Sequence, residues 1–265
     1  MSVEDEYSDL EPLKTRIAIH RKYSEHPDDV EETVYTALQT RLGDSVLDVG
    51  CGTGSFLKRL RQSWEYHGEL VGLDSSPAAV EQVGAEGAAE AVLGSATQLP
   101  FDPRRFDTVV ARHMLYHVPR PQAALQEFAR VVRPDGQVAV SVNHGSTVPR
   151  VTALVHEHMS RHGVAPVSLS DSVTSNDLPE LMATVFTQVS TVSFDNALVF
   201  PDPDPLIRFA VALLGVYGLP RDSTSRSAIV AGIRDEALSW FARNSAPWRD
   251  PKGYSICIGQ VLHGN

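Results

Sequence analysis

Val46-Leu47-Asp48-Val49-Gly50-Cys51-Gly52-Thr53-Gly54 is the stretch that decides how this chain is read. Ser45 to Val49 is short and mostly apolar, the pattern of a strand buried on both faces. It runs into three alternating glycines, and Phe56, Leu57 and Leu60 then follow at helical spacing. Strand, glycine turn and helix together bring bare main chain against a ligand, because glycine tolerates the positive φ of a tight turn and the helix start offers free N–H groups. Asp48 sits at the end of the strand, just before the turn. An acid there is badly placed beside a pyrophosphate but suits a cationic amino group. The glycines fall as G-x-G-x-G, with Ser55 where a dinucleotide fingerprint carries its third glycine.

The same rhythm continues on both sides. Glu69–Leu73 reads as a second strand ending at Asp74, and Pro77 opens a helix at a favoured first-turn position. Ala91–Leu93 and Phe106–Ala111 read as the third and fourth strands. A helix over 121–133 carries Leu125, Phe128, Val131 and Val132 on one face and stops at Pro134-Asp135-Gly136; Gln137–Val142 is the fifth strand. Strands alternating with helices predict βαβ units and right-handed crossovers. Residues 12–41 read as two helices broken at Pro27. Beyond Asn143, helices near 147–162, 203–217 and 226–243 interrupt the alternation, and only Val189–Phe200 and Tyr254–Leu262 are strand-like. The expected fold is α/β: a seven-stranded, mostly parallel sheet with helices on both faces, an N-terminal helical lid and a helical insertion after the fifth strand. The expected divisions are a lid at 1–43, a ligand-binding core at 44–145, and an insertion with the final strands at 146–265.

Composition narrows the setting. The 265 residues carry a formal net charge of −10, which repels phosphate backbones, so a nucleic-acid partner is not expected. The basic clusters Lys58-Arg59-Arg61 and Arg130-Arg133 sit at helical spacing and read as solvated helix faces. Two cysteines about 200 positions apart fit a reduced compartment. No apolar run approaches the roughly 20 residues of a membrane span, and the acidic start (Glu4, Asp5, Glu6, Asp9, Glu11) is unlike a signal peptide. A cytoplasmic protein is expected.

Asp74, at the tip of the second strand, is placed to accept both hydroxyls of an adenosine ribose. Dinucleotide enzymes use an acid at the same spacing, so Asp74 points to adenosine rather than to one cofactor. Gly94-Ser95-Ala96-Thr97-Gln98-Leu99-Pro100-Phe101, followed by Phe106-Asp107-Thr108-Val109-Val110, completes a recognisable series. Over about 45–145 the chain resembles a class I, Rossmann-like S-adenosylmethionine (SAM)-dependent methyltransferase of the type-11, ubiquinone/menaquinone methyltransferase-like branch. The resemblance implies that Asp48, Gly50, Cys51 and Gly52 line the methionine end of SAM. Asp74 would bind the ribose, Ser75 would lie against the adenine, and Ala96 would meet the ring through its N–H with Leu99 nearby. The family often has Asp where this chain has Ser95, and relatives often have Asn at Arg112. Arg112 would offer its carbonyl to the amino group, or its side chain to the SAM carboxylate. Residues Arg16–Ser24 resemble the N-terminal helix that lids the site in one subgroup, and there Tyr23 would close over the methyl group.

His113-Met114-Leu115-Tyr116-His117 follows the fourth strand, where this fold sets the acceptor beside the sulfonium. His113 and His117 are the candidate general bases; Tyr116, Asn143 and His144 are candidate pocket-lining residues. The pairs His113/His117 and His158/His162, with His156 beside the second, lack the glutamate and cysteines of zinc sites, so no metal is expected. His156, His158 and His162 read as decoration on an exposed helix. The expected activity is methyl transfer to an O, N or C atom of a small-molecule acceptor, leaving S-adenosylhomocysteine. The alternatives are a SAM-binding protein of the same fold without methyl transfer, such as a cyclase or regulatory subunit, and a nicotinamide-dependent oxidoreductase. A lid closing within one subunit and one reaching across a homodimer both stay open.

Overall fold

The computed structural model describes residues 10–38, 41–167 and 173–260. The first nine residues of the expected lid, its residues 39–40, and the last two of the strand expected over 254–262 lie outside them. In chain order the elements are α1 (Glu11–Tyr23), α2 (Val30–Ala37), β1 (Val46–Val49), α3 (Ser55–Ser63), β2 (Leu70–Asp74), α4 (Pro77–Glu86), β3 (Glu90–Leu93), β4 (Phe106–Arg112), a 3-10 turn (Leu115–His117), α5 (Pro121–Val131), β5 (Val132–Asn143), α6 (Pro149–Arg161), α7 (Leu178–Ala183), β6 (Gln188–Phe200), α8 (Pro203–Leu213), α9 (Arg226–Arg243) and β7 (Trp248–Gln260).

The strands form one seven-stranded sheet in the order β3-β2-β1-β4-β5-β7-β6. β1 pairs in parallel with β2 and β4, β2 with β3 and β4 with β5, while β7 runs antiparallel to β5. Parallel pairing of neighbours needs crossovers, and α3, α4 and α5 supply those from β1 to β2, β2 to β3 and β4 to β5. β1 is buried along its whole length, the mark of a sheet covered on both faces. One face packs Leu47, Val49, Val71, Val109 and Val140 with Leu125 and Phe128 of α5; the other packs Val46, Leu70 and Val110 with Phe56, Leu57 and Leu60 of α3 and Val34 of α2. β5 begins earlier than its sequence pattern predicts. Phe106 pairs with Val132 and Thr108 with Gln137, so residues 133–136 loop out of the ladder, with Asp135 at φ 64°. The expected Pro-Asp-Gly turn is thus a bulge inside the strand.

The chain divides into two compact units: residues 29–145, 172–194 and 254–265, and residues 1–28, 146–171 and 195–253. This differs from the sequence-based division. The expected lid is split, α1 falling in the second unit and α2 in the first. The insertion contributes to both, with the boundaries inside β6 and β7. In the second unit α8 packs against α1, α6 and α9. It buries Leu206, Phe209, Ala210, Ala212 and Leu213, and Phe200 and Trp248 share that core. Lys252 and Asp28, both nearly buried, form an ion pair there. Asp250 caps α6, accepting from the backbone N–H groups of Arg150 (3.1 Å) and Val151 (2.7 Å).

Two readings are corrected. His162 is exposed as expected, but the other two histidines are not on an exposed face: His158 is buried and its Nε2 lies 2.9 Å from Glu236 of α9, while His156 packs edge-on against Tyr217. Its apolar neighbours Leu154, Val155 and Met159 put His158 on the packed side. The second is α7, a six-residue helix too short to leave a periodic signal in the sequence.

The start of β1 is pinned electrostatically. Asp107 accepts from the Ser45 backbone N–H (2.8 Å), the Ser45 hydroxyl (2.7 Å) and Arg133 (2.6 Å). Burial pushes its carboxyl up, but Arg133 and Ser45 outweigh burial and hold it below the ordinary value of 3.8. A lowered native pKa means that this stabilisation is complete above 3.8 and is lost as pH falls through the native value. Asp107→Asn is expected to cost about 1–2 kcal/mol at neutral pH and nothing below the native titration. Urea melts of both proteins at pH 7 and in acid check this.

Candidate functional site: a buried ion pair beside a glycine turn

The site is built at the carboxyl ends of β1, β2 and β4. Gly50, Gly52 and Gly54 take φ values of 70°, 55° and 72°. A Cβ at Gly50 would stand 2.8 Å from the Met114 side chain, and one at Gly54 2.7 Å from Val83, so both space and φ exclude a larger residue. The turn is locked to the next strand: Gly52 N–H donates to Asp74 Oδ2 and Ser76 N–H to Asp74 Oδ1, both at 2.9 Å. Burial raises the Asp74 carboxyl, and the N–H groups of Ser76, Gly52 and Ser75 oppose that rise. Ser76 also caps α4. Cys51 is buried beneath the turn, where burial pushes its thiol up, and it lies against Gly72 of β2.

Asp48 is wholly buried. Its Oδ2 accepts from Arg112 Nη2 at 2.8 Å, while its Oδ1 has no hydrogen-bond partner. Burial raises the Asp48 carboxyl; Arg112 opposes that, and Glu31 and Asp74 add to it. Arg112 stacks over the Phe56 ring at 4.6 Å. The structure therefore gives the Arg112 side chain a partner that sequence reasoning missed, the acid near the end of β1.

The 94–101 segment follows β3. Ala96 and Leu99 are buried, while Ser95 is exposed and bonds within the loop to Thr97 (3.0 Å). A strap from α5 holds the segment. Glu127 accepts from the Leu99 N–H at 2.7 Å and pairs with Arg130, which donates to the carbonyls of Phe101 (2.8 Å) and Leu99 (3.0 Å). Arg130 is thus a clamp rather than a solvated helix face. Arg59 and Arg61 are engaged as well, Arg59 by Asp29 and Glu32 and Arg61 by the carbonyls of Ala88, Tyr66 and Gly68.

His113 comes directly after β4 with φ 50°, a strained value for a non-glycine residue, and its N–H is held by the Ser141 carbonyl at 2.9 Å. Its ring meets Tyr254 of β7 edge-on at 5.6 Å. Tyr116 and His117 lie in the 3-10 turn with their rings 4.6 Å apart. Asn143 ends β5, and its carbonyl accepts from Ser175 N–H; the neighbouring His144 ring lies 2.7 Å from the Ser175 hydroxyl. Tyr23 belongs to the other unit, where it packs on Phe200.

Residues 47–140 match the family model for the type-11 methyltransferase domain. This segment is a class I methyltransferase domain. Over 150 residues the chain is 30% identical to a demethylmenaquinone methyltransferase of Shouchella clausii, covering 54% of this chain and 61% of that one. It is 29% identical over 240 residues to an uncharacterised 37.1 kDa protein from transposon TN4556 of Streptomyces fradiae, covering 87% and 63%. The chain thus spans less than two thirds of these relatives. Among solved structures, the [4+2]-cyclase SpnF is similar at TM-score 0.60 and 18% identity, covering 98% and 96% of the two chains. A phosphoethanolamine N-methyltransferase of Haemonchus contortus, bound to phosphomonomethylethanolamine and S-adenosylhomocysteine, is similar at TM-score 0.55 and 15% identity, covering 95% and 57%. These structural likenesses show the shared fold alone.

The residues of the methyltransferase domain fit SAM. The orphaned Asp48 Oδ1 is an acceptor for an ammonium, the turn is bare main chain at Gly50, Gly52 and Gly54, and the Asp74 carboxylate stands beside it at the tip of β2. Removing Arg112 leaves a buried, uncompensated carboxylate, so Arg112→Ala is expected to cost about 3–5 kcal/mol. With its native pKa raised further above 3.8, Asp48 makes that variant lose stability as pH rises from that value. Thermal melts between pH 4 and 7 check the slope. The strap gives a separate outcome: Glu127→Ala should weaken adenosine binding by about tenfold, or ~1.4 kcal/mol, with the fold retained by circular dichroism.

Proposed function

We propose that this protein transfers the methyl group of SAM to an O, N or C atom of a small-molecule acceptor. The observation that carries the reading is the fully buried Asp48 carboxylate, one oxygen held by Arg112 and the other unpartnered, next to a turn locked to Asp74. When bound, SAM supplies an activated methyl on a sulfonium with a neutral leaving group. The chain's own part is mainly to hold its two ligands in line, an effect that supplies ~7–11 kcal/mol in well-oriented reactions. Asp48 binds the amino group, Asp74 the ribose hydroxyls, and the strapped 94–101 segment the adenine. An acceptor whose attacking atom carries a proton needs a base, for which His113 and His117 are the candidates. His113 is favoured by its strained backbone, which fixes its ring against Tyr254 directly after Arg112. Tyr116, Asn143 and His144 are proposed to line the acceptor side.

Titration calorimetry with S-adenosylhomocysteine beside NADH tests the cofactor. Micromolar binding of the first alone is expected, and Asp74→Ala should abolish most of it; binding of NADH alone would overturn the reading. Incubation with methyl-labelled SAM and a panel of phenol, quinol and amine acceptors then tests transfer. With an acceptor in hand, His113→Ala is expected to lose about 10²-fold or more in turnover while keeping cofactor affinity within twofold. Equal losses in both would make His113 structural. A SAM-binding protein without methyl transfer would leave every acceptor unlabelled while still binding S-adenosylhomocysteine.

A further inference from the structure

An internal carboxylate holds the anion end of the cofactor site. Glu31 lies in the first turn of α2, in the same unit as the glycine turn. Its Oε1 accepts from the Ser55 hydroxyl at the first residue of α3 and stands 3.6 Å from Arg112 Nη1; its Oε2 is 3.8 Å from Arg59 Nη1. Two guanidinium groups and a helix start, which favours negative charge, thus converge on an acid from a neighbouring helix. Beside it, Asp48 Oδ1 and Arg112 Nε are buried and have no partner.

The amino-acid end of SAM carries an ammonium and a carboxylate side by side. Asp48 Oδ1 is free to take the ammonium. The carboxylate needs Arg112, and Arg112 already faces Asp48 and Glu31. A third acid around one guanidinium is repelled by both. We propose that Glu31 is an internal stand-in for the cofactor's carboxylate, and that binding the amino-acid end of the cofactor displaces Glu31 from Arg112 and shifts α2 with it. Val34 anchors α2 in the core one turn further on, but the contacts around Glu31 itself are weaker. Asp29 and Glu32 are held by Arg59 at 2.6 Å through side chains about half exposed, and Tyr35 stacks on Trp64 at 4.0 Å. Exposed ion pairs of this kind hold weakly, so a ligand with affinity for Arg112 outcompetes them.

The inference rests on the SAM reading above, and the probes separate the two. S-adenosylhomocysteine carries the amino-acid end; 5′-methylthioadenosine has the same nucleoside and thioether without it. By calorimetry, Glu31→Gln, which removes the charge and keeps an acceptor for Ser55, is expected to bind S-adenosylhomocysteine about five- to tenfold more tightly, since the competing state is depopulated. Its affinity for 5′-methylthioadenosine should stay within twofold of wild type. In the wild-type protein, tryptophan emission should change with S-adenosylhomocysteine and not with 5′-methylthioadenosine, and the change should vanish in Trp64→Phe. Weaker or unchanged binding of S-adenosylhomocysteine to Glu31→Gln overturns the stand-in role while leaving the cofactor reading intact. Failure of both proteins to bind either ligand brings down the cofactor reading and this inference together.

Discussion

The ion pair between Asp48 and Arg112 is the constraint on which the rest of the site depends. Asp48 lies next to the end of the central strand β1 with no exposure to solvent, and Arg112 ends its neighbour β4. A carboxylate buried so deeply persists only with a cation beside it and hydrogen bonds to its oxygens. Arg112 supplies the cation and satisfies one oxygen. The second oxygen is left over, and that residual demand is what makes the strand end a binding site rather than a sealed core. Because the guanidinium also lies on Phe56 at the start of α3, the pair fixes the distance between the glycine turn and the segment carrying His113.

Around that pair, the parts proposed to hold a nucleoside are braced in different ways. Asp74 ties the glycine turn to β2 through Gly52, so turn and ribose position move as one body. The 94–101 loop is anchored in the core by Ala96, Leu99 and Phe101 and is strapped by Glu127 and Arg130 on α5, one crossover away in sequence. The segment after β4, proposed to face the acceptor, is built differently. His113, Tyr254 and Phe194 form a row of ring contacts between the end of β4, β7 and β6, drawing on strands remote in the chain.

Those differences explain how much could be read without coordinates. The glycine turn, Asp48, Asp74 and the alternation through β5 were readable because each rests on local chemistry: positive φ, a strand-end acid, buried strands at a fixed rhythm. The seven-stranded sheet followed. Glu31 gave no signal, because three acids opening a helix read as ordinary dipole compensation, and its partners lie 24 and 81 positions away in sequence. Arg130 and Arg133 read as a solvated helix face, and nothing in their spacing reveals Glu127 or the two carbonyls that Arg130 holds. His158 was misplaced for a similar reason. A histidine scores as polar in any periodicity count, and only Glu236 on a later helix makes its burial affordable. The division into units was equally hidden, since long-range packing rather than composition decides it.

The interleaving of the two units bears on how the chain is made. Each unit is assembled from three separate stretches, and β5 finds its antiparallel neighbour more than a hundred residues later, Gln137 opposite Gln260. While the chain leaves the ribosome, β5 waits with one edge unpaired until β7 has been synthesised, and an unpaired apolar edge is a template for wrong pairing. Such a topology has a high mean sequence separation between contacts, which slows folding. It also makes either unit hard to excise as a continuous fragment. A truncation ahead of β7 would remove a strand from the sheet, and expression of the isolated 44–145 segment would leave that edge open to aggregation.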